Sequence, residues 1–221
     1  MDKQPVTLVM EFGIETPLCY LSHRETVTLF ERALIRAGLS PHFSAGFNPR
    51  PRLSLPFPRS VGVRGDRELL CAMLEPSEQM LTAEQIVLRL AGQLPEGLTI
   101  GTVRTFAGKI TYHPQSVLYV FNLTEHLTEH KQEQLNRLGD MVLSGDTINI
   151  RRQKPGQPGP STVNIGQFIM DLQWQGSQIR LRCRVGPDGT ARVEEMLEWL
   201  GFKPVDLDGP VYRTDIQWNT N

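Results

Sequence analysis

The densest group of side chains able to do chemistry lies between Gly46 and Arg67. Arg50, Arg52, Arg59, Arg64 and Arg67 stand there against the single acid Asp66. Guanidinium groups make bidentate contacts with phosphate or carboxylate. Gly46 permits close backbone approach, and Pro49 and Pro51 reduce the freedom the loop must lose on binding. The stretch Gly46-Phe47-Asn48-Pro49-Arg50-Pro51-Arg52 therefore reads as an anion-recognition loop, with Asn48, Arg50 and Arg52 as its binding residues. Its ligand would be RNA phosphates or a carboxylate patch on a protein. The alternative is a solvated loop whose arginines pair with nearby acids.

Two other places carry candidate chemistry. In Leu21-Ser22-His23-Arg24-Glu25, Ser22 and Glu25 have the spacing of a capping box, which accounts for both without function. His23 is left over. At a helix N-terminus its neutral form is favoured, so it could serve as a base or a ligand. Further on, Ile179-Arg180-Leu181-Arg182-Cys183-Arg184-Val185 alternates with a period of two. Arg180, Arg182 and Arg184 then share one sheet face, and Arg151, Arg152 and Lys154 are candidates to extend it. Ferredoxin-like modules hold RNA on such a face, although no aromatic alternates with these arginines for base stacking. A face neutralised by Glu194, Glu195 and Glu198 or by a neighbouring strand is the competing reading.

The helix start at Ser22-His23-Arg24-Glu25 and the loop Gly46-Phe47-Asn48-Pro49-Arg50-Pro51-Arg52-Leu53-Ser54 together resemble the radical SAM-linked protein family. Its members carry a similar "F-L-S-H-L-D" helix start and a "G-F-N-P-x-P-(K/R)-(I/L)-S" loop. This chain departs from them in Arg24-Glu25 and in Leu18-Cys19-Tyr20-Leu21. The resemblance implies a domain of unknown function, fused to or encoded beside cobalamin-binding radical SAM proteins. It also implies one shared site: two separate motifs would place Ser22 and His23 close to Asn48, Arg50 and Arg52, at one end of the first sheet.

The remaining chemistry is bounded by what is missing. Cys19, Cys71 and Cys183 are scattered, without a C-x-x-C pair. Iron–sulfur clusters and structural zinc sites need several thiolates or histidines at close spacing. The chain can thus be the linked partner but not the radical enzyme, and no cofactor or metal is expected. Cys71 and Cys183 read as buried, Cys19 as the more accessible thiol. His42, His113, His126 and His130 form no metal signature, and no phosphate loop, dinucleotide fingerprint or nucleophile elbow is present. The 221 residues carry a formal net charge of −1, with 39% hydrophobic and 21% charged residues. A field of that size does not draw a protein onto nucleic acid, so an anion site must come from local clustering. There is no apolar run of membrane-spanning length and no signal-peptide layout at the start, which makes the cytoplasm the expected compartment.

These residues must be held by a scaffold whose elements are legible from periodicity. Strands are expected over residues 7–14, 68–74 and 98–106, with a proline-broken extended segment over 41–56. Helices are expected from His23 to Ala37 and after Thr82, which Gln85 completes as a capping box. Residues 107–116 read as a linker. Beyond it, strands are expected at 117–123, 147–152, 167–174, 178–185 and 211–218. Helices are expected from Thr128 to Leu143 and after a Thr190 cap, and residues 154–161 read as a loop. The predicted fold is α+β: tandem ferredoxin-like βαββαβ units with antiparallel sheets, spanning 1–107 and 115–221.

Three functions follow. The first is a non-catalytic partner or substrate-recognition subunit of a radical SAM enzyme, binding RNA through the arginine-rich loop. The second is an RNA-processing endonuclease using His23, by analogy with tandem ferredoxin-like nucleases of CRISPR systems. The third is a pure protein-binding scaffold.

Overall fold

The computed structural model describes residues 5–76, 81–153 and 159–220. The chain divides into two compact units, one of residues 1–113 with 218–221 and one of residues 114–217.

In the first unit, β1 (Val6–Ile14) is followed by α1 (His23–Arg36), β2 (Leu53–Ser54), β3 (Val63–Leu74), α2 (Ala83–Ala91) and β4 (Leu98–Ala107). The strands lie in the order β4, β1, β3, β2, with antiparallel neighbours throughout. This is the ferredoxin-like order. The alternation of β1 places Leu8, Met10, Phe12 and Ile14 against Phe30, Ala33 and Leu34 of α1 and Ile86 and Leu90 of α2, forming the main core. Phe12 and Phe30 meet edge to face at 4.7 Å. The opposite sheet face carries a smaller cluster of Val9, Leu69 and Cys71, covered by Phe106, Ile110, Tyr112 and Trp218.

The second unit repeats the plan with β5 (Tyr112–Asn122), α3 (Glu129–Ser144), β8 (Ile169–Gln175), β9 (Gln178–Arg184), α4 (Val193–Leu200) and β10 (Val211–Thr220). Its order is β10, β5, β9, β8. Between α3 and β8 a separate hairpin is inserted, β6 (Asn149–Arg152) with β7 (Ser161–Asn164). Both units are thus α+β with the β-α-β-β-α-β order.

Several expectations change. Residues 112–116 are strand, not linker. The polar residues His113, Gln115 and Ser116 hide the period there, yet exposed His113 and Gln115 alternate with half-buried or buried neighbours. β3 begins at Val63 rather than Glu68, because Arg64, Asp66 and Arg67 sit on a strand end with partly open faces. β7 had no apolar period to announce it. The cap of α4 is Arg192, whose backbone N–H donates to Glu195 at 2.9 Å. The Thr190 hydroxyl donates instead to the Arg184 carbonyl. Of the expected loop over 154–161, residues 154–158 lie outside the described residues. Among the described residues no helix is long and apolar enough to cross a membrane, and no group of three or more His, Cys, Asp or Glu could hold a metal.

Candidate functional site

The arginine-rich loop is a hairpin standing on the edge of the first sheet. Its foot is built by backbone hydrogen bonds: Arg52 N–H to the His42 carbonyl at 2.8 Å, Met73 N–H to the Arg52 carbonyl at 2.9 Å, and His42 N–H to the Met73 carbonyl at 2.7 Å. Its stem is braced by Ser44 N–H to the Arg50 carbonyl and by the Arg50 N–H donating to the Ser44 hydroxyl. His42 Nδ1 lies 2.8 Å from a Glu75 carboxylate oxygen. Pro49 and Pro51 fit because they precede the edge strand β2, where a missing N–H breaks no ladder. The tip, from Ala45 to Arg50, is exposed, and so is Arg52.

At the foot of this hairpin a groove of about 590 Å³ opens on the sheet face away from the helices. Arg52 just before β2, Ser54 of β2, and Cys71 and Met73 of β3 line it, with Lys109 from the link after β4 and Tyr112 and His113 from the start of β5. That segment is fixed at its start, where the Thr7 hydroxyl donates to the Gly108 carbonyl at 2.6 Å and Gly108 N–H donates to the Pro5 carbonyl. Tyr112 packs edge to face on Trp218 at 6.4 Å. No carboxylate is among the lining residues, while Arg52 and Lys109 are cations. Burial pushes the Cys71 thiol up to about 11. Burial, followed by the field of Cys71, also raises the Tyr112 phenol. Both groups remain protonated at neutral pH and add no negative charge. The groove can accept an anion.

A larger groove along α1, of about 780 Å³, is lined by Arg24, Arg32 and Arg36 but also by Glu25. Arg36 is engaged by Gln93, donating to its carbonyl at 2.7 Å. Its net charge equals that of Arg52 with Lys109, but Glu25 would repel an anion there and Arg36 is already engaged.

The structure brings Leu55, just past the loop, beside His23, but places Arg52 on the opposite face of the sheet from His23. His23 lines a cavity of about 10 Å³ with Phe12, Thr26, Leu55, Phe57, Arg59 and Glu68, on the helix side of the sheet. Arg52 lies beside Met73 on the other face. β1 and β3 pair Phe12 with Glu68 and Thr7 with Met73, so the two sites are five strand residues apart, about 17 Å. Ser22 and Glu25 are accounted for by the capping box: Ser22 N–H and hydroxyl donate to the Glu25 carboxylate at 2.8 and 2.7 Å, and Glu25 N–H donates to Ser22 Oγ. Those hydrogen bonds, from the Ser22 hydroxyl first, hold the Glu25 carboxyl below its ordinary range. Replacing Ser22 with alanine should lower stability by about 1 kcal/mol in urea unfolding, with no change in ligand binding.

The other arginines divide. Arg59 clamps backbone, donating to the carbonyls of Cys19 and Val63 at 2.6 and 2.5 Å. Arg64 pairs with Glu15, and Arg67 approaches Glu11 at 3.9 Å. Only Arg50 and Arg52 of that series project as exposed cations in the loop. Cys19 is fully buried, contrary to its expected accessibility, because the turn carrying it is tied down by Arg59. In the second unit, Arg180, Arg182 and Arg184 do share one face of β9, and Arg180 and Arg184 are exposed. The middle of that face is neutralised: Arg182 donates to Asp215 at 2.5 Å and stands opposite Asp171. Arg152 does not extend the face, since it is buried on β6 in a bidentate pair with Glu195, at 2.6 and 2.7 Å. Lys154 lies outside the described residues. Lys109, Tyr112 and His113 were missed because a linker was expected there; the strand alternation that begins at Tyr112 was the available signal for the last two.

A family profile described as "Uncharacterized protein conserved in bacteria (DUF2344)" matches residues 7–195. The chain belongs to this family. The DUF2344 match includes the Phe47 loop, Arg52, Lys109, His113 and the arginines of β9. Among solved structures the chain is similar to one in "Crystal Structure of a Cbf5-Nop10-Gar1 Complex", with 11% identity and a TM-score of 0.44, over 95% of this chain and 48% of that chain. That degree of likeness carries no argument about activity. No curated protein matches the sequence.

Proposed function

We propose that this DUF2344 protein is a non-catalytic recognition subunit of a radical SAM enzyme, working in the cytoplasm and holding RNA for its partner. The observation that carries the RNA part is the groove at the loop foot, where Arg52 and Lys109 meet without a carboxylate among the lining residues. Phosphate contacts from such cations supply sequence-independent affinity. The resemblance of the helix start and of the Gly46–Ser54 loop to radical SAM-linked proteins supports the choice of partner. The scattered cysteines fit a companion role, since Cys71 and Cys183 are buried thiols pushed up to about 11 and about 12.

A nuclease using His23 has less support. His23 is exposed at the start of α1, but it does not line the cationic groove that carries the RNA reading. Affinity-tagged protein purified from its native host tests the proposal. It should bring down an iron–sulfur protein and RNA, and Arg52→Ala with Lys109→Ala should lose the RNA while keeping the partner. Recovery without any iron–sulfur protein, joined to RNA cleavage by the pure chain that vanishes in His23→Ala, would overturn it.

A further inference from the structure

The hairpin above the groove ends in an aromatic ring with nothing packed on it. Phe47 is 103% exposed and Phe43, in the stem, is 40% exposed. An apolar ring is not left in water by accident of a floppy loop here, because the backbone is built to hold it there. Gly46 has φ of +135°, a conformation that L side chains rarely adopt, and Pro49 and Pro51 restrict the return strand. The stem bonds between Ser44 and Arg50 close the turn beneath it. No Asp or Glu occurs between Glu31 and Asp66, so the ring rises from a purely cationic segment that includes Arg50 and Arg52.

We infer that Phe47 stacks on an unpaired base of single-stranded RNA whose adjoining phosphates lie on Arg50, Arg52 and Lys109. The inference rests on the RNA reading of the same groove and narrows it to a strand class. Base–aromatic stacking beside a basic track is how single strands are held without sequence readout. Duplex RNA keeps its bases stacked inside and presents phosphates and 2′-hydroxyls, so an apolar ring at a convex tip has nothing to stack on. A protein pocket could bury the ring. It would leave the cationic, acid-free groove at the loop foot without an occupant, and a single strand fills both.

The test is fluorescence anisotropy of the full chain with a labelled oligouridylate of roughly ten nucleotides and with a duplex RNA of the same length. Phe47→Ala should weaken oligouridylate binding about 5- to 150-fold, leave the salt dependence unchanged, and leave the melting temperature unchanged because the ring packs on nothing. Phe47→Trp should restore binding. Equal affinity for duplex and single strand, or no effect of Phe47→Ala, overturns the stacking role while the RNA reading stands. Loss of the protein partner in Phe47→Ala with oligouridylate affinity intact makes the tip a protein anchor and overturns it too. Failure of the wild-type chain to bind any RNA removes both readings.

Discussion

Glu195→Ala is expected to destabilise the second unit by about 3–5 kcal/mol, the cost of leaving a buried charge without its partner. Glu195 and Arg152 are 5% and 8% exposed. The carboxylate accepts from Arg152 Nε at 2.6 Å and Nη2 at 2.7 Å, and from the Arg192 N–H at 2.9 Å. The same guanidinium donates to the Thr190 carbonyl at 3.0 Å, so one pair ties β6 to the start of α4. Removing the acid strands the arginine. Replacing both residues, Arg152→Met with Glu195→Leu, should be far milder, because a well-packed apolar pair removes the desolvation penalty along with the attraction. Urea unfolding of the three proteins measures this; equal losses in the single and double variants would contradict it.

The pair also sets a pH dependence. Burial, the largest influence on Glu195, pushes its carboxyl up, but the hydrogen bonds from Arg152 and the Arg192 N–H and the fields of both arginines outweigh it, leaving the group below its ordinary 4.5. A folded value below the unfolded one means stability that is fully present above about 4.5 and is lost as pH falls through the folded value. The wild-type chain should lose that increment on acidification, and Glu195→Ala should not.

Much of the scaffold could be read from residues because local and tertiary preferences agree there. Leu8, Met10, Phe12 and Ile14 alternate, and all four face the helices. Ser22 with Glu25 and Thr82 with Gln85 mark helix starts through a short-range hydrogen-bond pattern. Arg180, Arg182 and Arg184 alternate as written. What escaped were features fixed by distant partners. Arg152 reads as a surface cation until Glu195, on another element, is placed beside it. Cys19 reads as accessible until Arg59 reaches its carbonyl. The separation of His23 from Arg52 depends on strand register and sheet face, and proximity in sequence does not encode either. Lys109, Tyr112 and His113 belong to a groove assembled from four chain segments, which no single window contains.

The second large effect concerns the groove itself. Arg52 and Lys109 lie on different segments and both line it, so each should contact a separate phosphate. For a single strand each phosphate contact contributes about −0.7 to the slope of log affinity against log salt. Arg52→Ala with Lys109→Ala should therefore flatten the slope by about 1.4 and weaken binding roughly 25-fold at 0.1 M salt. Both side chains leave the main core untouched, so unfolding should change little. A control pair on β9, Arg180→Ala with Arg184→Ala, should alter binding less, because that face is interrupted by the Arg182–Asp215 pair.

The measurement that bears most directly on the central claim is the salt-dependent affinity of the purified chain for single-stranded RNA, wild type against Arg52→Ala with Lys109→Ala. RNA binding whose slope drops by about 1.4 in the double variant is the predicted result; a wild-type chain that binds no RNA, or a slope the double variant leaves unchanged, would contradict it.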